Sequence, residues 1–385
     1  MPEMIQLPDP KVALTLGELK AIQAIAAGHL TFSLTLACPL KCAHCIVNAA
    51  PDLGKTTMPF EVAQGYARQM AELAEYGIRS VSFTGGEPFL ARRQLEVLAE
   101  AADRAGIVSG VVTAAHWAKS HESARKVVEQ FASIRCWDIS VDVFHEEYIG
   151  LDCVKNAYDA LIAQGRRVTI RFTYSDPPTE DELRILGFIS TLSEASFSCQ
   201  RVRAVGRGSF LDVKTEHHYN PWVKPCLTQG MVIRYDGSIS PCCLNLVEER
   251  RHPFQFGDAR ARPLKVIHQD YMSMPLLQII RSIGFSELMR WLREAGLDAR
   301  LPKELPDEVC ELCSLMMRDK VVADFLKQKT SEPEVQLRIA VISSQVLGEN
   351  QMLSAVLERF AGSPELTSEF AAAGALLPAG LNQKT

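Results

Sequence analysis

The chain has 385 residues, 47% hydrophobic and 23% charged, with 20 Pro and 23 Gly, the balance of an ordinary soluble globular protein long enough to bury a large core. A formal net charge of -5 without a basic block leaves no electrostatic footprint for nucleic acid, and no uninterrupted apolar run approaches a membrane span. The first six residues lack the basic start and apolar segment of a secretion signal, so a cytoplasmic location is expected. In that compartment thiols stay reduced. The eleven cysteines, an odd number, are therefore expected to be metal ligands, catalytic groups or buried small hydrophobes rather than disulfides.

Residues 1–29 read as a Pro-containing lead-in with a helical segment over 16–27 that Gly28 stops. From Leu30 short apolar runs alternate with amphipathic stretches. The runs 30–36, 78–84, 107–113, 134–141, 167–173 and 195–202 predict strands, and helices are expected near 60–76, 91–105, 119–132, 152–164 and 179–193. Such alternation predicts an α/β fold of parallel strands with right-handed crossovers over 30–210, a barrel or a doubly wound sheet. Residues 211–320 break the pattern and are expected to form a second, smaller unit, opened by a hairpin at Asp236-Gly237. A helical tail, 321–385, becomes Ala-rich and carries no readable chemistry.

Cys38, Cys42 and Cys45, spaced C-x3-C-x2-C, follow the first strand directly and so sit on the rim where parallel-sheet enzymes place their sites. Structural zinc and iron–sulfur sites normally close with four protein ligands, so three thiolates on one loop point to a metal centre with one position open. The competing reading is a zinc site that borrows a fourth ligand such as His44 or a later cysteine. Gly85-Gly86-Glu87-Pro88 follows the second strand on the same rim, where two glycines permit close backbone approach and the carboxylate and main-chain groups can hold an ammonium group.

Together the two motifs, in this order and register, resemble the radical S-adenosylmethionine (radical SAM) superfamily. The resemblance implies a (β/α)6 partial TIM barrel in which Cys38, Cys42 and Cys45 hold a [4Fe–4S] cluster whose fourth iron binds S-adenosylmethionine. It further implies that Gly85, Gly86, Glu87 and Pro88 contact the methionine amino group, and that His44 takes the place of the usual aromatic residue near the adenine. Ser140 and Asp142 at the end of the fourth strand are candidates for ribose or carboxylate contacts, with capping as the alternative. Arg171 on the fifth strand is a candidate for the carboxylate, with structural pairing as the alternative. His116, Trp117, His145, Glu146 and Glu147 are candidate substrate contacts, and Gly206-Arg207-Gly208 resembles a turn of the family.

The second cysteine set is Cys226, Cys242, Cys310 and Cys313, and the spacing C-x10-G-x4-C through Gly237 resembles the accessory domains called SPASM and twitch. Four ligands and no later cysteine fit the twitch version, with one auxiliary [4Fe–4S] cluster that has no open position; structural zinc is the alternative. Cys243 is left over beside a ligand and is a candidate hydrogen-atom donor, substitute ligand or buried spectator. The resemblance implies reductive cleavage of S-adenosylmethionine to a 5'-deoxyadenosyl radical and hydrogen-atom abstraction from a substrate carbon, with an electron donor such as flavodoxin or ferredoxin. Peptide or other natural-product modification is expected, by epimerisation, cross-linking or oxidation. Dehydrogenation of a small polyol or sugar is the alternative. From other classes stand a non-catalytic zinc scaffold and an iron–sulfur sensor that binds S-adenosylmethionine without turnover.

Overall fold

A computed structural model describes residues 7, 14–211, 224–228, 230–242, 253–306 and 308–360. Helix α1 (Leu16–Ala27) starts at a capping box, in which Thr15 and Glu18 satisfy each other's backbone N–H, and stops at Gly28. The strands that follow are β1 (His29–Ser33), β2 (Ser80–Thr84), β3 (Val108–Thr113), β4 (Cys136–Ser140), β5 (Arg167–Tyr174) and β6 (Ser196–Arg201). All pair in parallel with their sequence neighbours, in register from His29 opposite Ser80 to Tyr174 opposite Arg201. Between them run α2 (Phe60–Ala67) and α3 (Met70–Tyr76), then α4 (Arg92–Arg104), α5 (His121–Gln130), α6 (Val143–Glu146), α7 (Leu151–Ala163) and α8 (Glu180–Ile189). This is the expected α/β partial barrel.

The single helix expected over 60–76 is two, and the cause is long-range. At the junction the backbone N–H of Gln69 bonds three residues back, to Tyr66, while its side-chain oxygen accepts from the backbone N–H of Leu264. The tightened turn is thereby tied to the start of a helix nearly two hundred residues on.

The hairpin at Asp236-Gly237 is present, as β7 (Met231–Arg234) and β8 (Ile239–Ser240), with Gly237 at φ +82°. It does not stand apart from the barrel. β7 pairs in parallel with β1, Leu30 opposite Met231, so one eight-stranded sheet runs β6-β5-β4-β3-β2-β1-β7-β8. Helices α9 (Leu264–Met272), α10 (Pro275–Ser282), α11 (Ser286–Glu294), α12 (Val309–Arg318), α13 (Lys320–Lys329), α14 (Pro333–Leu347) and α15 (Gln351–Phe360) complete the described chain. The tail is helical through α13 to α15, and α14 packs on α1 and α10. The Ala-rich end lies outside the described residues.

The core is continuous from the barrel into these helices. It includes an aromatic group between the sheet and the end of α5, in which Phe89 stacks on Trp137 (centroids 5.6 Å apart) and meets Phe131, and Trp117 meets both Phe89 and Trp137. Two histidines are shielded from solvent elsewhere, His29, half-buried and bonded to Ser80, and His268, buried and bonded to Tyr76; burial pushes both down to about 4. Unfolding returns each to an ordinary value near 6.5, so between pH 6.5 and 4 the unfolded chain binds more protons. Their contribution to stability is complete above pH 6.5 and is lost as pH falls toward 4, by up to about 1.4 kcal/mol per pH unit for each group. Urea unfolding of the metal-free chain at pH 7 and pH 5 is expected to show a lower midpoint at pH 5. An equal midpoint would contradict it.

Candidate active site

Beyond Ser33 the chain of β1 runs on through a bend at Leu36 to Cys38, and its backbone is bonded on both sides. On one side Gly86 N–H donates to Thr35 C=O (2.6 Å) and Glu87 N–H to Ala37 C=O (2.8 Å). On the other, Leu34 and Leu36 C=O accept from Met58 and Ala50, and Cys38 N–H donates to Ala50 C=O (3.1 Å). The cysteine loop is thus mounted directly on the glycine turn. Gly85 sits at φ +134°, and a Cβ there would stand 2.2 Å from Thr35 O; at Gly86 it would stand 2.2 Å from Ala37 O. No side chain fits at either place. Gly86→Ala is therefore expected to push the cysteine loop off its mount and to lower iron incorporation on reconstitution although all three cysteines remain. Full iron with unchanged thermal stability would contradict this.

Cys38, Cys42 and Cys45 line a solvent-open cleft of about 600 Å³ together with Gly85, Gly86 and Glu87. His44, Ser140, His145 and Arg207 border the same space. Burial pushes the Cys38 thiol up to about 12 and Cys42 higher still, with Asp142 and the neighbouring thiols adding to the shift at Cys42. The thiolate forms require a bound cation, so loading must release protons.

Glu87 holds a different post from the one expected. Its carboxylate, 1% exposed, accepts from the backbone of Phe89 and Ala114 and from the Thr113 hydroxyl (3.0 and 3.1 Å). It braces the ends of β2 and β3, with His116 at 3.7 Å, and the main chain of the turn is what remains for a ligand. Trp117, expected as a substrate contact, belongs to the aromatic core and donates its indole N–H to Thr113. Pro88 opens the short 3-10 turn, Pro88–Leu90, that Glu87 caps.

Asp142 caps α6 through the backbone N–H groups of Phe144 and His145, and also accepts from His145 Nδ1 at 2.8 Å. Burial works to raise its carboxyl, but His145 holds it below the usual carboxylate range, and His44 Nε2 lies 3.6 Å away. The His44 ring is stacked on Phe144 (4.5 Å) and set edge-on to His145 (5.2 Å), and burial holds it neutral, down to about 4. Glu146 faces away into a pair with Arg184.

Arg171 pairs with Asp138 on the neighbouring strand (3.4 Å) and does not border the cleft. Among the described residues the guanidinium that does is Arg207. Its Nε donates to Cys42 C=O and its backbone N–H to Cys45 C=O, both at 3.0 Å. Gly206, at φ +59°, lies so close that a Cβ would stand 2.5 Å from Cys45 O. The Gly-Arg-Gly turn was visible in the sequence; that it clasps the cysteine loop was not.

Of the second set, Cys310 and Cys313 lie in the first turns of α12. Burial, then the nearby Cys226 and Cys310, raise the Cys313 thiol well above its ordinary value, and Tyr271 lies in the field of both Cys226 and Cys242. The four are thus gathered from three places in the chain: Cys226, Cys242 and the Cys310–Cys313 turn. Cys226 is pinned through its peptide: its N–H donates to Ile280 C=O (2.7 Å) and its C=O accepts from the side chain of Gln23 (2.7 Å). Cys243 lies outside the described residues.

The donor chemistry fits iron–sulfur clusters at both places. Three sulfurs around one zinc, with Zn–S near about 2.3 Å, stand about 3.8 Å apart. Among the described residues the ligand atoms of His44, Asp142 and His145 all lie within 4.8 Å of one another, a nitrogen–oxygen group rather than a sulfur one.

Residues 32–182 match the family model described as the radical SAM superfamily, and residues 225–314 match that of the SPASM iron–sulfur cluster-binding domain. GTP 3',8-cyclase 2 of Mycobacterium bovis is 36% identical over 98 residues, which cover 24% of this chain and 26% of the cyclase, so the chain spans about a quarter of the length of that relative. The putative peptide biosynthesis protein YydG of Bacillus subtilis is 21% identical over 306 residues, 74% of this chain and 90% of YydG. Among solved structures, Streptococcus suis SuiB bound to S-adenosylmethionine superposes with a TM-score of 0.50 at 18% identity, covering 66% of this chain and 67% of SuiB.

Proposed function

The chain belongs to the radical SAM superfamily, with an iron–sulfur cluster-binding SPASM domain after its barrel, and from that premise we propose that it is a peptide-modifying enzyme. In this reading Cys38, Cys42 and Cys45 hold a [4Fe–4S] cluster with one open position, and Cys226, Cys242, Cys310 and Cys313 hold an auxiliary cluster. Bound at the first site, S-adenosylmethionine and the cluster supply a 5'-deoxyadenosyl radical that takes a hydrogen atom from a substrate carbon.

The chain's own residues have separable tasks. The main chain at Gly85 and Gly86, which borders the cleft beside the cysteine loop, receives the methionine ammonium group. His44, fixed against Phe144, presents a flat neutral ring to the adenine. Ser140, on the cleft, faces the ribose or the carboxylate, while Asp142, buried and capping α6, acts behind the cleft by holding His145 and His44 in place. Arg207 orients the cysteine loop through Cys42 and Cys45 C=O. Cys243 stands as the hydrogen-atom donor, and a flavodoxin or ferredoxin as the electron source. Functionally the chain divides into a lead-in (1–29), the radical SAM barrel (30–210), the auxiliary domain (211–320) and the helical tail (321–385).

The observation that carries the peptide reading is the 306-residue match to YydG, 90% of a protein named for peptide biosynthesis. Anaerobic reconstitution followed by dithionite and S-adenosylmethionine tests the chemistry. About eight iron per chain and release of 5'-deoxyadenosine support the reading; zinc with no cleavage would overturn it. A mass change in a co-expressed precursor peptide supports the substrate class, and turnover of a polyol or sugar in its place would overturn that part alone.

A further inference from the structure

Seven residues after β6 reach from one cysteine set to the other. At Arg203 the guanidinium Nη1 lies 3.4 Å from Cys310 Sγ, and the next backbone N–H, that of Ala204, donates to Glu311 Oε1 at 2.8 Å. Four residues on, Arg207 holds Cys42 and Cys45 through their carbonyls, Gly206 lets the turn pack against that loop, and Gly208 lets it close on Arg203 C=O. The Cα atoms of Arg203 and Arg207 are at most about 14 Å apart. The segment therefore fixes the two cysteine sets relative to each other.

We propose that Arg203 sets the reduction potential of the auxiliary cluster by donating a charged hydrogen bond to the Cys310 sulfur. This rests on the reading that Cys226, Cys242, Cys310 and Cys313 hold that cluster. Reduction adds negative charge to the cluster and its sulfurs, and a cationic donor on one sulfur stabilises the reduced form more than the oxidised one. Cys310 also lies in the first turn of α12, where the unpaired N–H groups of the helix carry partial positive charge of the same sense. The cysteine loop receives no such bond from Arg203; its arginine, Arg207, meets backbone oxygen. The two clusters are thus expected to respond differently to the same substitution.

Potentiometric titration followed by electron paramagnetic resonance, on the reconstituted full chain, is the test. Arg203→Gln is expected to shift the auxiliary midpoint to more negative potential while the midpoint of the other cluster stays in place and iron per chain is unchanged. Arg203→Lys, which keeps a cation but not the planar donor, shifts it less in the same direction. An auxiliary midpoint that does not move with full iron overturns the proposal and leaves the cluster assignment standing. Absence of a second cluster signal in the wild-type protein overturns both. If Arg203→Gln fails to retain iron, Arg203→Lys decides: a negative shift supports the proposal and an unmoved midpoint sinks it.

Discussion

Cys42→Ala is expected to abolish cleavage of S-adenosylmethionine, by more than the 10- to 100-fold that changes behind a metal ligand cost, and to lower iron from about eight to about four per chain. Cys42 is the most deeply buried of the three loop cysteines, its thiol pushed up by burial and by Asp142, and Arg207 grips its carbonyl. Alanine leaves that grip and the loop backbone in place. The expected loss is thus confined to one sulfur rather than to the fold, and circular dichroism and urea unfolding should match wild type. Chromatographic assay of 5'-deoxyadenosine, beside iron analysis, reads both parts. Retained cleavage would contradict the assignment of the loop, whereas loss of all iron would place the second set of cysteines under the control of the first.

The barrel was legible because its signals are local. Each of the six strands is an apolar run that stands alone in the sequence, and Thr15, Ser120 and Thr179 announce the starts of α1, α5 and α8 by capping boxes. The two rim motifs follow their strands within a few residues, so strand order alone puts them side by side. What escaped is what depends on partners far off in the chain. Nothing in Met231–Arg234 announces parallel pairing with β1, because a four-residue strand looks the same in a separate hairpin as in an extended sheet. Glu87 was legible as a motif residue but not as the brace of Thr113 and Ala114, 26 and 27 residues away. Arg171, a candidate for the carboxylate on the fifth strand, is shown by the register to sit against Asp138, and Arg207, legible only as part of a turn after the sixth strand, is the one carried to the cysteine loop. The helical tail was read as chemically silent, and there the sequence had least to offer.

The tail holds a partner of the second cysteine set. Arg281 on α10 is fully buried, and burial works against its charge; Glu349, just past α14, outweighs that with two bonds of 2.8 Å. Its Nε donates to Gln23 on α1, and the Gln23 amide in turn donates to Cys226 C=O. Glu349→Gln removes the anion and leaves the guanidinium buried without its counter-charge, a change that costs about 3–5 kcal/mol, against a total stability of about 5–15 kcal/mol for a folded protein. Replacing both members, Arg281→Met with Glu349→Leu, removes the stranded charge and is expected to restore most of that stability. It does not restore Gln23, which loses the donor that fixes its oxygen. The double variant should therefore unfold near the wild-type urea midpoint yet bind its second complement of iron about 10- to 100-fold more weakly. Equal iron affinity in the double variant would confine the tail to a structural role. The stability loss of Glu349→Gln should also persist in 1 M salt, where the Debye length is about 3 Å, because buried charges are screened far less than the exposed Lys155–Asp159 pair on α7.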